Sequence, residues 1–273
     1  MTTLSGVIAE AKVAAGTVMA WWLGGNGFVF KTCAGTQVYV DPYLSNCVAS
    51  IFGLEREFPA PVSATEARPD LLVSTHWHED HLDPEGVPIV ARHSRARFLG
   101  PPSCVSRLLG WMVPADRVNS LRAGETYDFK DVKVAGIPAR HVPGIAGWEV
   151  DDAIGVLMDF GGVTVYHAGD TEYDIRLRDL AFQPHIRIDV CMLPINGTGG
   201  NMNAHEAALL AWQLKAETVI PMHHKLWKEF PGKERATLDP ELFANTYYKL
   251  GGKGKVKIFE VGEGYELKVP NRN

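Results

Sequence analysis

A cluster of histidines and acids that directly follows a short apolar run limits the folds open to this chain more than any other feature. The apolar run is Leu71-Leu72-Val73, and the segment THWHEDH follows it at 75–81. In extended backbone, residues two apart point to the same side, so His76, His78 and Asp80 converge on one point. Imidazole and carboxylate groups suit zinc, manganese or iron. The pattern predicts a strand that ends in a metal-binding loop, with a His-rich surface turn as the alternative.

The composition is typical of a globular protein with a substantial core. The chain has 273 residues, of which 46% are hydrophobic and 22% charged, and we expect one domain over 1–273. It carries 27 Lys and Arg against 32 Asp and Glu, a net charge of -5. A general nucleic-acid binder usually has a basic stripe or a high pI. We therefore expect a small-molecule substrate and no nucleic-acid partner.

The cysteines and the apolar runs indicate a cytoplasmic protein without a membrane partner. The four cysteines, Cys33, Cys47, Cys104 and Cys191, are scattered without a C-x-x-C pair, which favours reduced thiols over a disulfide framework. The first residues lack the basic flank and long apolar core of a signal peptide. No run approaches the ~20 apolar residues of a membrane helix. The oligomeric state is left open, with a homo-oligomer as one alternative.

The order of the predicted elements favours an α+β or mixed α/β fold. Short β-branched runs between turn residues predict strands at 18–23, 27–32, 36–40, 70–74, 125–129, 132–138, 153–160, 163–167, 188–193, 218–222, 255–260 and 264–268. Helices are predicted from Asp83-Pro84 to about His93, at 101–112, at 203–215 and near 240–250. The segment 42–69 is predicted to be mostly irregular. An internal similarity between TQVYVD at 36–41 and VTVYHAGD at 163–170 suits two similar β-halves.

Candidate ligands follow four of the predicted apolar strands. Besides the segment 75–81 they are His141, Asp170 and the pair His223-His224. Each has an ordinary alternative: His141 as a loop residue and Asp170 as a helix N-cap. One of the paired histidines is expected not to be a ligand, because adjacent residues after a strand point in different directions. Their shared position after strands indicates one common site.

The sequence resembles the metallo-β-lactamase-fold hydrolases. Within them it is most similar to the L-ascorbate-6-phosphate lactonase-like proteins and to related, shorter metal-dependent hydrolases. The matching segments run from about residue 19 to 227 and are MAWWLGGNGF, STHWHEDH, FLGPPSCV, VYHAGDTEY, IDVCMLPING and VIPMHHKLW. The resemblance implies a four-layer αββα sandwich in one domain, with a metal site at the common edge of the two sheets.

The same resemblance implies two divalent metal ions, zinc or manganese, with iron as a further choice. It places His76, His78 and His141 on the first ion. Asp80, His81 and His223 would hold the second, and Asp170 would bridge the two. It also implies that Asp41 orients a ligand histidine, and that His167, Thr171 and His224 lie near the site without being ligands.

This ligand set predicts a hydrolase. Metal binding lowers the pKa of a bound water towards ~7, and the resulting hydroxide attacks a carbonyl carbon or a phosphorus atom. Asp80 and Asp170 are the expected catalytic carboxylates, with Asp80 able to carry a proton to the leaving group. The sequence has no G-x-S-x-G nucleophile motif.

The expected substrate is a small ester or lactone, including a phosphorylated sugar lactone. Lys225 and Arg140 are candidate anion-binding groups, with ordinary solvated charge as the alternative. A phosphodiesterase acting on nucleotides or RNA is the second interpretation, and a non-hydrolytic metal-binding or redox scaffold is the third. The loops 42–69 and 142–152 are expected to set substrate specificity, but their sequences do not indicate which substrate is bound.

Overall fold

Two seven-stranded sheets form the framework of the fold. The computed structural model describes residues 3–141, 146–183, 186–229, 233–234 and 236–268. The first sheet has the order β14-β1-β2-β3-β4-β5-β6, with β1 Thr17–Gly24, β2 Gly27–Thr32, β3 Gln37–Val40, β4 Leu71–Val73, β5 Arg97–Gly100, β6 Val118–Ser120 and β14 Gly264–Lys268. The second has the order β13-β12-β11-β10-β9-β8-β7, with β7 Thr126–Phe129, β8 Val132–Pro138, β9 Ile154–Asp159, β10 Thr164–His167, β11 Val190–Pro194, β12 Thr218–Met222 and β13 Lys255–Val256.

The two sheets share one plan. Each begins as an antiparallel meander and continues as parallel strands, and the change falls at β3 in the first sheet and at β10 in the second. The internal similarity in the sequence corresponds to these two strands. Ligands in such sheets bind beyond the carboxyl ends of the strands where the topology changes. The acids Asp41 and Asp170 follow these two strands.

Helices cover the outer faces of both sheets. The helices are α1 Leu4–Glu10, α2 Cys47–Phe52, α3 Gly86–His93, α4 Pro102–Gly110, α5 Ala204–Leu214 and α6 Pro240–Lys249, with 3₁₀ helices at Ala115–Arg117 and Ile175–Phe182. Local sequence explains where they begin. Asn203 and Glu206 form a reciprocal capping box at the start of α5, and Pro240 occupies the first turn of α6 after the Asp239 cap.

The apolar side chains sort into layers that match the predicted αββα sandwich. One cluster fills the space between the sheets and continues under α5 and α6, including Phe28, Val156 and Phe243. A second cluster lies between the first sheet and the helices on its outer face, including Ile8 of α1 and Val90 of α3. The mixed α/β fold class predicted from the sequence is therefore confirmed.

Three glycines, at two places in the chain, show how local sequence shapes the framework. Gly161 and Gly162, with φ of 77° and 113°, make the predicted two-residue turn between β9 and β10, because two successive positive φ values suit glycine. Gly169 has φ of 63° and no room for a side chain, since an added Cβ would lie 2.9 Å from Cβ of Thr75. This close approach brings the β10 end of the second sheet against the ligand loop of the first.

Some predicted elements were wrong in part. The segment 42–69 contains the helix α2, whose apolar residues Cys47 and Val48 are buried, so it is less irregular than predicted. The strand predicted at 255–260 is only Lys255–Val256, and the helix predicted at 101–112 ends at Gly110. Helix α3 begins at Gly86, with the Asp83 carboxylate accepting hydrogen bonds from the Glu85 and Gly86 amides. Of the predicted loop 142–152, residues 142–145 lie outside the described part.

Several elements were not predicted at all. They are α1, β5, β6 and the two 3₁₀ helices. Strand β5 is four residues long and β6 three, so neither is long enough to show the alternation that identifies a strand. They extend the parallel half of the first sheet beyond β4. Within the described residues, no helix is long and apolar enough to cross a membrane.

Candidate metal centre

The predicted ligands gather at one edge of the sandwich, where strands of both sheets end. His76, His78, Asp80 and His81 follow β4 of the first sheet. From the second sheet, His141 follows β8, Asp170 follows β10 and His223 follows β12. Among the described residues, three groups of ligand atoms lie within 4.8 Å of one another: His76–His78–His141, His76–His81–Asp170 and Asp80–His81–His223.

The first group brings three imidazoles together with their nitrogen atoms at contact distance. Nδ1 of His78 lies 3.0 Å from Nε2 of His76 and 3.1 Å from Nε2 of His141. Ligand nitrogens on a tetrahedral zinc ion, with bonds of about 2.05 Å, lie about 3.3 Å apart. The spacing of the three histidines is therefore close to that of one coordination sphere.

These three histidines are neutral at physiological pH. Burial, followed by the neighbouring His81, holds the pKa of His76 well below its ordinary value. Burial and the neighbouring His141 lower the pKa of His78 to about 4. Burial also lowers the pKa of His141, against the opposing effect of Asp170. Neutral imidazole is the form that binds a metal ion, so this group can bind one with little proton release.

The histidines of the group Asp80–His81–His223 lie close to carboxylates. Nε2 of His81 and Nε2 of His223 each lie 3.6 Å from Oδ2 of Asp80. Burial lowers the pKa of His81, but the carboxylates of Asp80, Asp170 and Asp41 outweigh it and raise the pKa well above the ordinary value. The pKa of His223 is raised in the same way, with Asp170 as the main opposing charge to burial. A cation bound here would replace protons.

Asp170 lies between the two groups. Its Oδ2 is 3.4 Å from Nε2 of His223, 3.5 Å from Nε2 of His81 and 3.9 Å from Nε2 of His141. Although burial raises its pKa, the charges of His223 and His81 hold that pKa well below the ordinary value. This is the position of a carboxylate that can bridge two ions.

Two asparagine side chains fix the Asp170 carboxylate. Nδ2 of Asn26 donates to its Oδ1 at 2.6 Å, and Nδ2 of Asn201 donates to its Oδ2 at 2.8 Å. Both amide groups are buried. They hold the plane of the carboxylate, so its oxygen atoms face the histidines.

The outer nitrogen atoms of four histidines have partners that orient the rings. Nε2 of His78 lies 2.9 Å from the carbonyl oxygen of Trp148. Nδ1 of His141 lies 3.2 Å from the carbonyl oxygen of Gly200, and Nδ1 of His76 lies 3.1 Å from Oγ1 of Thr75. Such contacts fix the tautomer and leave the inner nitrogen free for a ligand bond.

Asp41 supplies the fourth of these contacts and also holds the ligand loop. Its Oδ2 lies 2.9 Å from Nδ1 of His81 and accepts from Oγ1 of Thr75 at 2.6 Å. Its Oδ1 accepts from the Thr75 amide at 2.7 Å. Asp41 is fully buried and, with His223, has a positive φ: 45° and 60° respectively. Such strained backbone at ordinary residues concentrates at functional sites.

Thr171 and His167 lie beside the ligands and support them. Oγ1 of Thr171 accepts from the Arg140 amide at 3.0 Å, next to His141. Nε2 of His167 lies 2.9 Å from the carbonyl oxygen of Asn26, while its Nδ1 accepts from the Gly169 amide. His167 therefore fixes the turn that carries Asn26.

His224 and Lys225 lie apart from the cluster. The His224 ring stacks on Trp22 with centroids 5.0 Å apart. Burial, followed by the positive charge of Lys225, lowers its pKa to about 4. The Lys225 amine pairs with Glu260 at 3.4 Å. Neither residue lies on the wall of the cavity over the cluster, among the residues the structure describes, and this placement gives no support to a substrate role for either.

The cluster fits divalent metal ions on its own geometry. Nε2 of His81, the nitrogen that faces Asp80 and Asp170, is buried without a hydrogen-bond partner among the described residues. Unpartnered buried polar atoms are rare and need an explanation. Neutral imidazoles placed with their nitrogen lone pairs towards one another repel unless a cation or a proton lies between them. His76, His78 and His141 would hold one ion, Asp80, His81 and His223 a second, and Asp170 would contact both.

A cavity of about 960 Å³ opens onto the cluster. Asp80, Asp170, His78, His141 and His223 form part of its wall. Residues of α2, of the 146–148 segment and of 196–199 also line it, together with Leu54, Trp77, Glu79, Arg107, Asn201 and Trp227. A substrate can reach the cluster through this cavity.

Sequence reasoning missed Asn26, Asn201 and Trp148. Asn26 lies in a turn between glycines that was noticed only as part of a matching segment, and its polar side chain at a strand end was a usable signal. Asn201 and Trp148 lie in loops, and their contacts with Asp170 and His78 span 31 and 70 residues of sequence. No local pattern indicates contacts of that length.

The fold and cluster together define a metallo-β-lactamase-like protein, with an αββα sandwich and a His/Asp metal centre at the sheet edge. The family described as "Beta-lactamase superfamily domain" matches residues 21–223, a span that includes every proposed ligand. The chain belongs to this family.

Relatives of known name agree with this membership. The chain is 30% identical over 239 residues to a UPF0173 metal-dependent hydrolase of Pyrococcus furiosus, covering 85% of this chain and 92% of that protein. It is 26% identical over 261 residues to "Probable L-ascorbate-6-phosphate lactonase UlaG" of Escherichia coli strain SMS-3-5, covering 82% and 74%. Among solved structures it is similar to Igni18, a metallo hydrolase from Ignicoccus hospitalis, with a TM-score of 0.73, 24% identity, and coverage of 92% and 99%.

Proposed function

We propose that this metal-dependent hydrolase cleaves a small ester or lactone. The observation that carries the proposal is the placement of Asp170, whose carboxylate lies within 3.9 Å of three histidines from two ligand groups and faces the cavity. Bound divalent ions would supply a nucleophile from water at neutral pH and would polarise the scissile carbonyl group.

The residues of the chain prepare the site for this reaction. Asn26 and Asn201 fix Asp170, and Asp41 fixes His81, so the ligand atoms are held before substrate enters. Preorganised groups of this kind need no rearrangement at the moment of reaction. Most of these side chains are fully or almost fully buried, and the cavity gives water access to the cluster.

Asp80 is the proposed proton carrier. Its side chain is 14% exposed, whereas those of His81 and Asp170 are 1% and 6% exposed, and it lies on the cavity wall. A carboxylate that contacts both the ligand group and the cavity can take a proton from the attacking water and pass it to the leaving alkoxide. Asp170 keeps its charge throughout as the shared ligand.

The relatives support an acyl substrate. The Escherichia coli relative is named a probable lactonase, and the Pyrococcus relative is named only as a metal-dependent hydrolase. We extend the ester or lactone class to this chain. The phosphorylated sugar in the name of the Escherichia coli relative is not extended to it. Zinc and manganese are the proposed metals, two ions per chain, with iron as the third choice.

The surface charge supports a small substrate over a nucleic-acid chain. Arg140 is paired with Glu172 at 3.2 Å and Lys225 with Glu260 at 3.4 Å. Binding a polymer needs several unpaired cations near the site to contact successive phosphates. The described surface of the cavity carries no such row.

An activity panel tests the proposal. Purified protein loaded with zinc, manganese or iron is assayed on lactones, thioesters, cyclic nucleotides and short RNA, with Asp170→Asn as the inactive control. We expect turnover of lactones or esters, with a pH–rate profile that rises to a plateau. Cleavage of cyclic nucleotides or RNA with inert lactones would favour the phosphodiesterase. Full metal loading without any hydrolysis would favour the non-hydrolytic scaffold.

A further inference from the structure

We infer that the substrate is an uncharged ester or lactone carrying an apolar substituent, which lies against an aromatic wall beside the metal centre. The aromatic wall consists of Phe52, Trp77, Trp148 and Trp227, all of which line the cavity. This inference rests on the proposed hydrolase function and specifies its substrate class.

Trp148 joins the aromatic wall directly to the ligands. Its indole stacks on the His78 ring with centroids 4.1 Å apart and planes at 25°. The backbone carbonyl of the same residue lies 2.9 Å from Nε2 of His78. A substituent next to the scissile carbonyl would therefore meet this indole first.

Phe52 extends the aromatic wall outward from Trp148. Its ring lies 5.4 Å from the Trp148 indole, at the C-terminal end of α2. The side chain is 47% exposed, although large aromatic groups gain most from burial. A bound apolar group would cover this exposed ring.

Trp227 and Trp77 are held in place by neighbouring side chains. The Trp227 ring packs on Tyr43, with centroids 5.7 Å apart, and its backbone forms an isolated bridge with Arg56. Trp77 lies under the guanidinium group of Arg107, with Cζ of Arg107 3.9 Å from the centroid of the Trp77 ring. The aromatic wall is thus formed before a ligand arrives.

The cavity has room for more than a bare lactone ring. Its volume is about 960 Å³, at the upper end of the 300–1,000 Å³ that is usual for sites of drug-sized ligands. A five-membered ring at the metal centre would fill only a small part of this space. The aromatic wall lines this same cavity, and an apolar substituent is the group that gains from contact with it.

The charges around the cavity disfavour a phosphorylated substrate. Among the described residues that line it, Arg107 is the only Lys or Arg, and its guanidinium is already stacked on Trp77. Glu79 lies on the same wall, near Nε1 of Trp148 at 3.4 Å. Away from the candidate ligands Asp80 and Asp170, a phosphate would meet one cation, Arg107, and one carboxylate, Glu79, so the described lining offers no built phosphate site.

The first test measures kcat/KM for a series of γ-alkyl butyrolactones with the metal-loaded protein. Each methylene that becomes buried against the aromatic wall is worth about a fourfold gain in kcat/KM. We expect such a rise over successive methylenes and lower turnover of phosphorylated and polyhydroxylated lactones. A flat series, or a preference for the phosphorylated lactone that Arg107→Gln removes, would overturn the inference.

A pair of neighbouring variants assigns the effect to the aromatic wall. Phe52→Ser removes a ring that lines the cavity, whereas Ile51→Ser changes a side chain on the same helix that is 50% exposed and lies outside the cavity lining. Phe52→Ser should flatten the chain-length series, and Ile51→Ser should leave it unchanged. Equal effects of both variants would contradict the assignment.

A binding measurement separates this inference from the hydrolase proposal. Alkyl lactams have the shape of the lactones and resist hydrolysis, and calorimetry gives their Kd for the metal-loaded protein. We expect Kd to fall about fourfold per buried methylene and the fall to disappear in Phe52→Ser. If no ester or lactone is hydrolysed, the proposed function fails, yet the lactam series still supports the apolar wall or, if flat, overturns it.

Discussion

Replacing Asp41 by asparagine should weaken metal binding without removing any ligand. The Asp41 carboxylate is fully buried, and its Oδ2 faces Nδ1 of His81 at 2.9 Å and Oγ1 of Thr75 at 2.6 Å. In Asp41→Asn, Oδ1 can still accept from the Thr75 amide, which puts an NH₂ group where Oδ2 was. The Thr75 hydroxyl can turn and accept, because it is both donor and acceptor.

His81 has no such freedom. An NH₂ group facing Nδ1 forces the proton of the neutral ring onto Nε2, the nitrogen that faces Asp80 and Asp170. A protonated Nε2 cannot bind a metal ion. Loss of an outer contact of this kind typically costs 10–100-fold in metal affinity, which agrees with about 1.5–3 kcal/mol for a hydrogen bond to a charged group. We expect a loss of that size at the group of Asp80, His81 and His223 alone.

Competition titrations with a chromophoric chelator measure the two affinities separately, and ¹⁵N shifts of the histidine rings report the tautomer of His81. The group of Asp80, His81 and His223 should bind its ion about 10–100-fold less tightly. The metal affinity of the group of His76, His78 and His141 should not change. Unchanged affinity of both ions, with the proton still on Nδ1, would refute the reasoning.

Asp83→Asn is the matched control. The Asp83 carboxylate is also fully buried, and it accepts hydrogen bonds from Leu44 N, Ser45 Oγ, Glu85 N and Gly86 N. These contacts hold the backbone and involve no ligand atom. Asp83→Asn should lower Tm, since it disturbs buried hydrogen bonds worth about 1–3 kcal/mol, but leave both metal affinities unchanged.

Three further predictions concern the ligands and their neighbour. Asp170→Ala should lose more bound metal and activity than His141→Ala, because two ions would face each other without a shared carboxylate; elemental analysis decides, and retention of two ions by Asp170→Ala would contradict it. His223→Ala should hold about one ion fewer than His224→Ala, also by elemental analysis. Burial and then Lys225 lower the pKa of His224 from 6.5 to about 4, so the unfolded chain binds more protons between these values. The contribution of the neutral His224 ring to the free energy of unfolding is fully present above about pH 6.5. It is lost as the pH falls towards 4, and the loss is roughly 2 kcal/mol for this partly exposed ring. His224→Phe should reduce that loss in denaturant titrations at pH 7 and pH 4.5, and identical pH dependence in both proteins would count against it.

The framework, and the gathering of the candidate ligands at one sheet edge, were largely predictable from the sequence. Strands β2, β8 and β12 have the predicted bounds or nearly so, since each is an apolar run closed by turn residues. The histidines after β4 form a dense local pattern, and His141, Asp170 and His223 stand out because they follow predicted strands. In physical terms, the strand ends gather at one edge, and polar residues there have little other reason to be buried.

Most of the cavity wall was not predictable, for an equally physical reason. Trp148 lies in a loop and Phe52 at the end of α2, 96 residues apart by their numbers, and they meet only in the folded chain. The helix α2 is short and was hidden in a segment rich in proline. Cations that were near the ligands in sequence, Lys225 and Arg140, point to acidic partners instead of the cavity.

The division of the ligands between the two sheets has a consequence for how the protein holds together. His76 and His223 belong to different sheets and are separated by most of the chain, yet Asp170 contacts ligands from both. An ion bound across that seam cross-links the halves as a disulfide would, but reversibly and in proportion to the free metal concentration. At a thousand times its Kd, one such ion adds about 4 kcal/mol to the free energy of unfolding. Metal supply would then set the lifetime of the folded chain as well as its catalytic rate, so starvation for the ion would remove the protein itself and not merely its activity.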